Sequence, residues 1–222
     1  MSSSPKPPYR AALLDLDGTL VDTLGDFTVA LNAMLADLGL PALSRQAIER
    51  MVGKGSEHLI RSALQQVGGE SGVFDRACTV YQHHYDAING RHSDLYPGVL
   101  EGLGFLRERG IRMACVTNKP GRFAKGLLDA KGLAGYFEHV FGGDAFEHKK
   151  PHPMPLLMAC RALGSEPART LMVGDSSNDA QAARAAGCPV VLMTYGYNHG
   201  EPIRQVDADA WLDSLAHLEG LA

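Results

Sequence analysis

Three apolar runs, far apart in the chain, each stop on a polar cluster. Residues 11–14 run into Asp15-Leu16-Asp17-Gly18-Thr19, residues 111–116 into Thr117-Asn118, and residues 170–173 into Gly174-Asp175. A short apolar run without alternation reads as a strand buried on both faces. Two more runs complete the set, a weaker one at 139–141 and a clear one at 190–193. Helical spacing separates them: Val99, Leu103 and Leu106; then Leu156, Leu157, Cys160 and Leu163 behind Pro153; then a segment ending at Gly187, a residue suited to a helix C-cap. Strands alternating with helices predict an α/β fold, a Rossmann-like parallel sheet with helices on both faces. Such sheets bind ligands outside the carboxyl ends of their strands. Three widely separated segments therefore deliver Asp15, Asp17, Thr117, Asn118, Asp175 and Asp179 to one edge.

The alternation is interrupted once. Leu24, Phe27, Ala30, Leu31, Met34, Leu35 and Leu38 form one amphipathic helix, and Ser44 is a plausible N-cap for a second. Val52-Gly53-Lys54-Gly55 breaks the pattern before Leu59, Ile60, Ala63 and Leu64 resume it. Phe74, Cys78, Tyr81, Tyr85 and Ile88 give a further helix, and no convincing strand lies between Leu24 and about Asp94. The first strand needs the later ones to build a sheet, so two domains in series are excluded. The expected organisation is a core of residues 10–23 and 95–222, a helical cap of residues 24–94, and a disordered tail at 1–9.

Composition narrows the class of ligand. In 222 residues, 21 Lys and Arg stand against 25 Asp and Glu, a net charge of −4 that gives no polycationic surface for nucleic acid or anionic membrane. No apolar stretch approaches the ~20 residues of a membrane span, and the first residues lack the apolar stretch of a signal peptide. Cys78, Cys115, Cys160 and Cys188 form no CxxC pair, and the last three sit among small or apolar neighbours. Buried thiols in a reducing cytoplasm are expected. The partner expected is a small molecule, with monomer and homodimer both open.

Four carboxylates in one crevice repel one another unless a cation joins them. Hard oxygen ligands suit Mg²⁺, which takes one or two carboxylates together with water and a phosphate. A carboxylate can attack phosphorus to give an aspartyl-phosphate, and a second carboxyl nearby can protonate the leaving oxygen and then deprotonate water. A lysine beside them offsets the charge of the phosphoryl group, and Gly18 allows close backbone approach.

Asp15-Leu16-Asp17-Gly18-Thr19, Thr117-Asn118-Lys119-Pro120, Lys150-Pro151 and Gly174-Asp175-Ser176-x-x-Asp179 resemble, in order, the four motifs of the haloacid dehalogenase superfamily. The resemblance covers nearly the whole chain, with the helical insert in the position of a type-1 cap. Within the superfamily, Val116-Thr117-Asn118-Lys119-Pro120, Gly142-Gly143-Asp144, Lys149-Lys150-Pro151-His152-Pro153 and Tyr195-Gly196-Tyr197-Asn198 are similar to bacterial phosphoglycolate phosphatases.

The resemblance implies a Mg²⁺-dependent phosphomonoesterase acting on a small phosphorylated metabolite, 2-phosphoglycolate first. Asp15 would be nucleophile and metal ligand. Asp17 would be general acid/base and lend its backbone carbonyl to the metal. Gly18, Thr117, Asn118 and Lys150 would hold the phosphate, Asp175 would complete the metal shell, and Asp179 would orient Lys150 or a metal-bound water. Three alternatives stand beside it: a phosphatase for another small phosphomonoester, a sugar phosphomutase on the same scaffold, and a non-catalytic phospho-acceptor module.

Several residues carry bland readings as well. Asp-x-Asp alone is a solvated turn, Thr117 and Asn118 can cap a helix, and Asp179 can be an ordinary first-turn acid. Lys149 competes with Lys150, which is favoured as the residue directly before Pro151. Gly53-Lys54-Gly55 is either a loop closing over the site or a helix break. His58, His83, His84 and His92 show no metal-ligand spacing, His148 and His152 flank Lys150 without an assigned role, and Trp211 is expected to pack.

Overall fold

The computed structural model describes residues 9–69 and 71–220. Residues 1–8, which make up nearly all of the expected tail, lie outside the described residues. Chain order begins with β1 (Ala11–Leu14), β2 (Val21–Asp22), α1 (Leu24–Asp37), α2 (Arg45–Glu49), α3 (Ser56–Gln66) and α4 (Phe74–Ile88). It continues with β3 (Asp94–Leu95), α5 (Val99–Glu108), β4 (Arg112–Val116), α6 (Gly121–Ala130) and β5 (His139–Phe141). Last come α7 (Met154–Ala162), β6 (Thr170–Gly174), α8 (Ser177–Ala186), β7 (Val190–Met193) and β8 (Ala210–Leu212).

Six strands form one sheet in the order β5-β4-β1-β6-β7-β8, every pairing parallel. β1 is central because it is flanked by β4 and β6 in matched register, Leu14 facing both Cys115 and Val173. All four of its residues have no exposed surface, which is why the run reads as continuously apolar. Alternate residues serve opposite faces. Ala12 and Leu14 join the core under α5 and α6, while Ala11 and Leu13 join the one under α7 and α8.

Helices α1 to α4 bury their apolar stripes against one another in a third core, with Leu31, Met34, Ile60, Tyr81 and Tyr85 at its centre. Phe123 from α6 and Tyr197 from the loop after β7 complete this core. Ser44 caps α2 as its sequence suggests, its hydroxyl accepting from Ala47 N at 3.2 Å. Gly187 ends α8 in the left-handed region at φ 78°.

Three features depart from the sequence expectation. β2 and β3 pair antiparallel, joining the two chain crossings between sheet and helices; two-residue strands are too short to show a period. β8 extends the sheet edge, and its short run is set between Asp209 and Asp213, so no apolar block marks it. Leu157 points outward from α7 at 42% exposure, although its spacing had placed it on the core side. Trp211 lies on β8 and packs against the sheet, its indole N–H donating to the Ile203 carbonyl at 3.1 Å. Among the described residues no helix is long and apolar enough to cross a membrane.

Candidate active site

The carboxyl ends of β1, β4 and β6 bring the expected residues together. Asp15 leaves β1 with its amide donating to Val173 O at 2.9 Å, so the parallel ladder itself aims the side chain out of the sheet. Its Oδ1 accepts from Leu16 N at 2.8 Å and lies 3.1 Å from Lys150 Nζ. Among the described residues no group donates to Oδ2. Burial pushes the Asp15 carboxyl up to about 6; Lys150 and the Leu16 amide oppose the rise, and Asp179 and Asp17 add to it.

Lys150, 3% exposed, lies in the cluster, while its neighbour Lys149 is exposed. Its ammonium donates to Val116 O at 2.6 Å and to Asp179 Oδ1 at 2.7 Å. Burial works against this charge, but Asp15 and Asp179 outweigh it and hold the group above its usual value. Asp179 is fully buried at the first turn of α8. Its Oδ2 accepts from Ser176 Oγ at 2.7 Å, Ser176 N at 3.1 Å and Asp175 N at 3.2 Å, a capping box turned inward on the site.

Asp175 is held on both oxygens. Thr19 Oγ1 donates to Oδ1 at 2.7 Å and Tyr197 N to Oδ2 at 2.6 Å. Burial, then Asp179 and Asp15, push its carboxyl well above the ordinary range, with the bonds from Thr19 and Tyr197 opposing. Gly18, at φ 85°, is required here because a Cβ would lie 2.2 Å from Asp175 Oδ2. Gly196 meets the same oxygen at the same distance. The tightness at Gly18 thus comes from a carboxylate, where sequence reasoning had looked to a phosphate.

Carboxylate oxygens of Asp15, Asp175 and Asp179 all lie within 4.8 Å of one another, close enough to share a cation. Asp17 stands apart from that triad. Its carboxylate pairs with Lys119 Nζ at 3.0 and 3.3 Å. Fully ionised, the four carboxylates would exceed the ammonium groups of Lys119 and Lys150 by two charges, the charge of one divalent ion.

Thr117 follows β4, its amide donating to Phe141 O at 3.0 Å. Asn118 Nδ2 donates to Lys150 O at 2.9 Å and to Gly53 O at 3.0 Å, while its Oδ1 is buried without a partner. Asn178 also donates to Gly53 O, at 3.3 Å. The Gly53-Lys54-Gly55 loop therefore rests against the sheet edge. Between them lies a cavity lined by Asp15, Asp17, Thr117, Asn118 and Lys119 below and Phe27, Val52, Leu59, Tyr81 and Tyr85 above.

Sequence reasoning gave no role to Thr19, Lys119 or Tyr197. Each was on the page as part of a quoted motif, but only the fold shows Thr19 and Tyr197 on Asp175 and Lys119 on Asp17. His148 and His152 are exposed, their rings 4.3 Å apart. His84 pairs with Asp37 at 2.7 Å, away from the site.

Similarity to known proteins points to one family. Residues 12–193 match the family model described as haloacid dehalogenase-like hydrolase. A phosphoglycolate phosphatase of Nitrosospira multiformis is 46% identical over 94% of this chain and 93% of its own length. One from Thiobacillus denitrificans is 43% identical over 94% and 93%. Among solved structures, a protein from Haemophilus somnus, described as "a predicted phosphoglycolate phosphatase", superposes with a TM-score of 0.93 at 34% identity, covering 98% of this chain and 99% of that one.

Proposed function

The chain belongs to the haloacid dehalogenase-like hydrolases, and from that premise we propose that it hydrolyses 2-phosphoglycolate to glycolate and inorganic phosphate through phospho-Asp15. The substrate rests on relatives of that name that align over nearly the whole chain. The chemistry rests on one observation above the others: a buried carboxylate, Asp15, faces the cavity with one oxygen free of donors and Lys150 beside the other.

In this reading Asp15 Oδ2 attacks phosphorus, and the bond from phosphorus to the ester oxygen breaks. Asp17, entering the cycle as the carboxylic acid, gives that oxygen its proton and glycolate departs. Asp17 then takes a proton from water, whose oxygen attacks phosphorus and frees Asp15. Lys150, Thr117 and Asn118 hold the phosphoryl oxygens, and Gly18 keeps the turn beneath them tight. Asp179 fixes Lys150. Residues 24–94 act as a cap on a core of residues 10–23 and 95–222, and the Gly53 carbonyl, bound by Asn118 and Asn178, marks the seam that shuts out bulk water.

Mg²⁺ fits the donor set. Oxygens of Asp15, Asp175 and Asp179 lie within 4.8 Å of one another; Asp15 and Asp175 would hold the ion with the Asp17 backbone carbonyl, while Asp179, which accepts four hydrogen bonds, would orient Lys150. When bound, the ion offsets the charge that builds on the phosphoryl group. Four free cysteines, two with sulfurs 3.9 Å apart and unbridged, support a reducing cytoplasm as the setting.

Phosphate release should be measured from 2-phosphoglycolate beside a panel of sugar and nucleotide monophosphates, with Mg²⁺ and with EDTA, for wild type and Asp15→Asn. Release confined to wild type with Mg²⁺ and centred on 2-phosphoglycolate is expected. Activity surviving Asp15→Asn refutes the mechanism, and activity centred on another ester refutes the substrate.

A further inference from the structure

Lys119 is the cation among the residues lining the cavity, and its environment is unusual for a lysine. It is 4% exposed, with its ammonium 4.7 Å from the Phe27 ring centre and 4.6 Å from that of Tyr85. Its ammonium donates to the Asp17 carboxylate, at 3.0 Å to Oδ1 and 3.3 Å to Oδ2, and to the Tyr85 hydroxyl at 2.6 Å. The two Asp17 oxygens belong to one carboxylate and can share a single N–H, which leaves the third N–H for a ligand. Tyr85 accepts from Lys119, and its own O–H has no acceptor among the described residues. Burial, chiefly, holds the Tyr85 phenol well above its ordinary pKa, so that proton stays on. One ammonium N–H and one phenolic O–H thus stand side by side in an aromatic wall, two spare donors with no acceptor. Two adjacent donors match the two oxygens of a carboxylate.

Their position sets where on the substrate that carboxylate must be. Lys119 Nζ is 3.0 Å from Asp17 Oδ1, the group that protonates the ester oxygen. An ester oxygen and a carboxylate oxygen joined through two carbons lie on the order of 3 Å apart. An acid group on the carbon bearing the phosphate therefore reaches Lys119 while its ester oxygen reaches Asp17; one on a longer arm overshoots.

Building on the hydrolysis proposed above, we propose that Lys119 and Tyr85 recognise the substrate's carboxylate and make this site selective for phosphate esters of α-hydroxy acids. Phe27 and Tyr81 close the wall around them, so no water shell screens the pair.

The test compares 2-phosphoglycolate with the phosphate ester of glycolamide, the same shape without the charge. Wild type should favour the acid, and Lys119→Met should cut the ratio of the two kcat/KM values about 30-fold, mostly through KM, the scale of one lost charge-assisted hydrogen bond. Tyr85→Phe should cut it several-fold, and Lys119→Arg should restore part of it. If Lys119→Met slows acid and amide equally, Lys119 acts only on Asp17 and the proposal fails; it fails as well if wild type does not discriminate.

Calorimetric binding of 3-phosphonopropionate, in which a methylene replaces the ester oxygen, separates this proposal from the reading it rests on. Binding by wild type that Lys119→Met abolishes, with no turnover of 2-phosphoglycolate, keeps the recognition site and refutes the hydrolysis. Turnover with binding indifferent to Lys119 refutes the recognition site alone.

Discussion

Replacing Asp179 with asparagine keeps the shape of a fully buried side chain and removes its charge. The carboxylate accepts four hydrogen bonds: Lys150 Nζ on Oδ1, and Ser176 Oγ, Ser176 N and Asp175 N on Oδ2. Asparagine has one acceptor oxygen. Turned toward Ser176, its amide nitrogen faces the Lys150 ammonium, donor against donor. Turned toward Lys150, the nitrogen faces two backbone amides that cannot rotate away. No orientation satisfies both sides, and breaking a buried ion pair costs about 3–5 kcal/mol. Lys150 keeps Asp15 at 3.1 Å and Val116 O at 2.6 Å, so the lower end, about 3 kcal/mol, is expected. The assay is urea unfolding at pH 7 with Mg²⁺ present, with Asp207→Asn as control. Asp207 makes a bond of similar length, 2.9 Å to Arg184, but at 79% exposure, and its loss should cost less than about 1 kcal/mol. Equal midpoints for the two variants would refute the claim that burial, rather than the bond itself, sets the cost.

Gly18→Ala places a Cβ where Asp175 Oδ2 sits and holds alanine at φ 85°, so kcat should fall at least about tenfold while urea unfolding shows a loss of about 1–2 kcal/mol; wild-type turnover would mean that Asp175 does not need its place. Asp15, raised to about 6, binds its proton more readily folded than unfolded, so without metal, stability should fall as pH rises from about 4 to about 6. Thermal unfolding in EDTA across that window should show the slope, and Mg²⁺ at pH 7 should recover the loss; a flat profile in EDTA contradicts the assignment. Asp26, fully buried, accepts from Gly90 N at 2.8 Å and His92 N at 2.7 Å. Asp26→Ala leaves both amides without that partner and should cost about 2–3 kcal/mol in urea unfolding.

The sheet was legible because its central strands are buried on both faces and so read as unbroken apolar runs. β1, β4, β6 and β7 announce themselves in this way. Strands that lack a second buried face do not: β8 closes an edge between aspartates, and β2 with β3 is a two-residue ribbon. Leu157 shows the same limit in a helix, since spacing alone does not say how wide the apolar stripe is. Ser44 and Gly187, whose roles are settled within a few residues of chain, were readable.

The site divides along the same line. That Asp15, Asp17, Thr117, Asn118 and Asp175 converge follows from parallel strands ending at one edge, and needs only the order of the runs. What each then touches depends on distant loops. Asp175 is fixed by Thr19 and by the amide of Tyr197, 22 residues further on, through the space that Gly18 and Gly196 leave open. Asp17 meets Lys119 across 102 residues, and Lys119 meets Tyr85 on a helix from the other side of the cavity. A lysine written beside Thr117 and Asn118 reads as one more polar residue at a strand end. Only when α4 brings aromatic faces over it does it become a desolvated cation with a donor to spare, and that property, absent from any local motif, is the one that can tell one small phosphate ester from another.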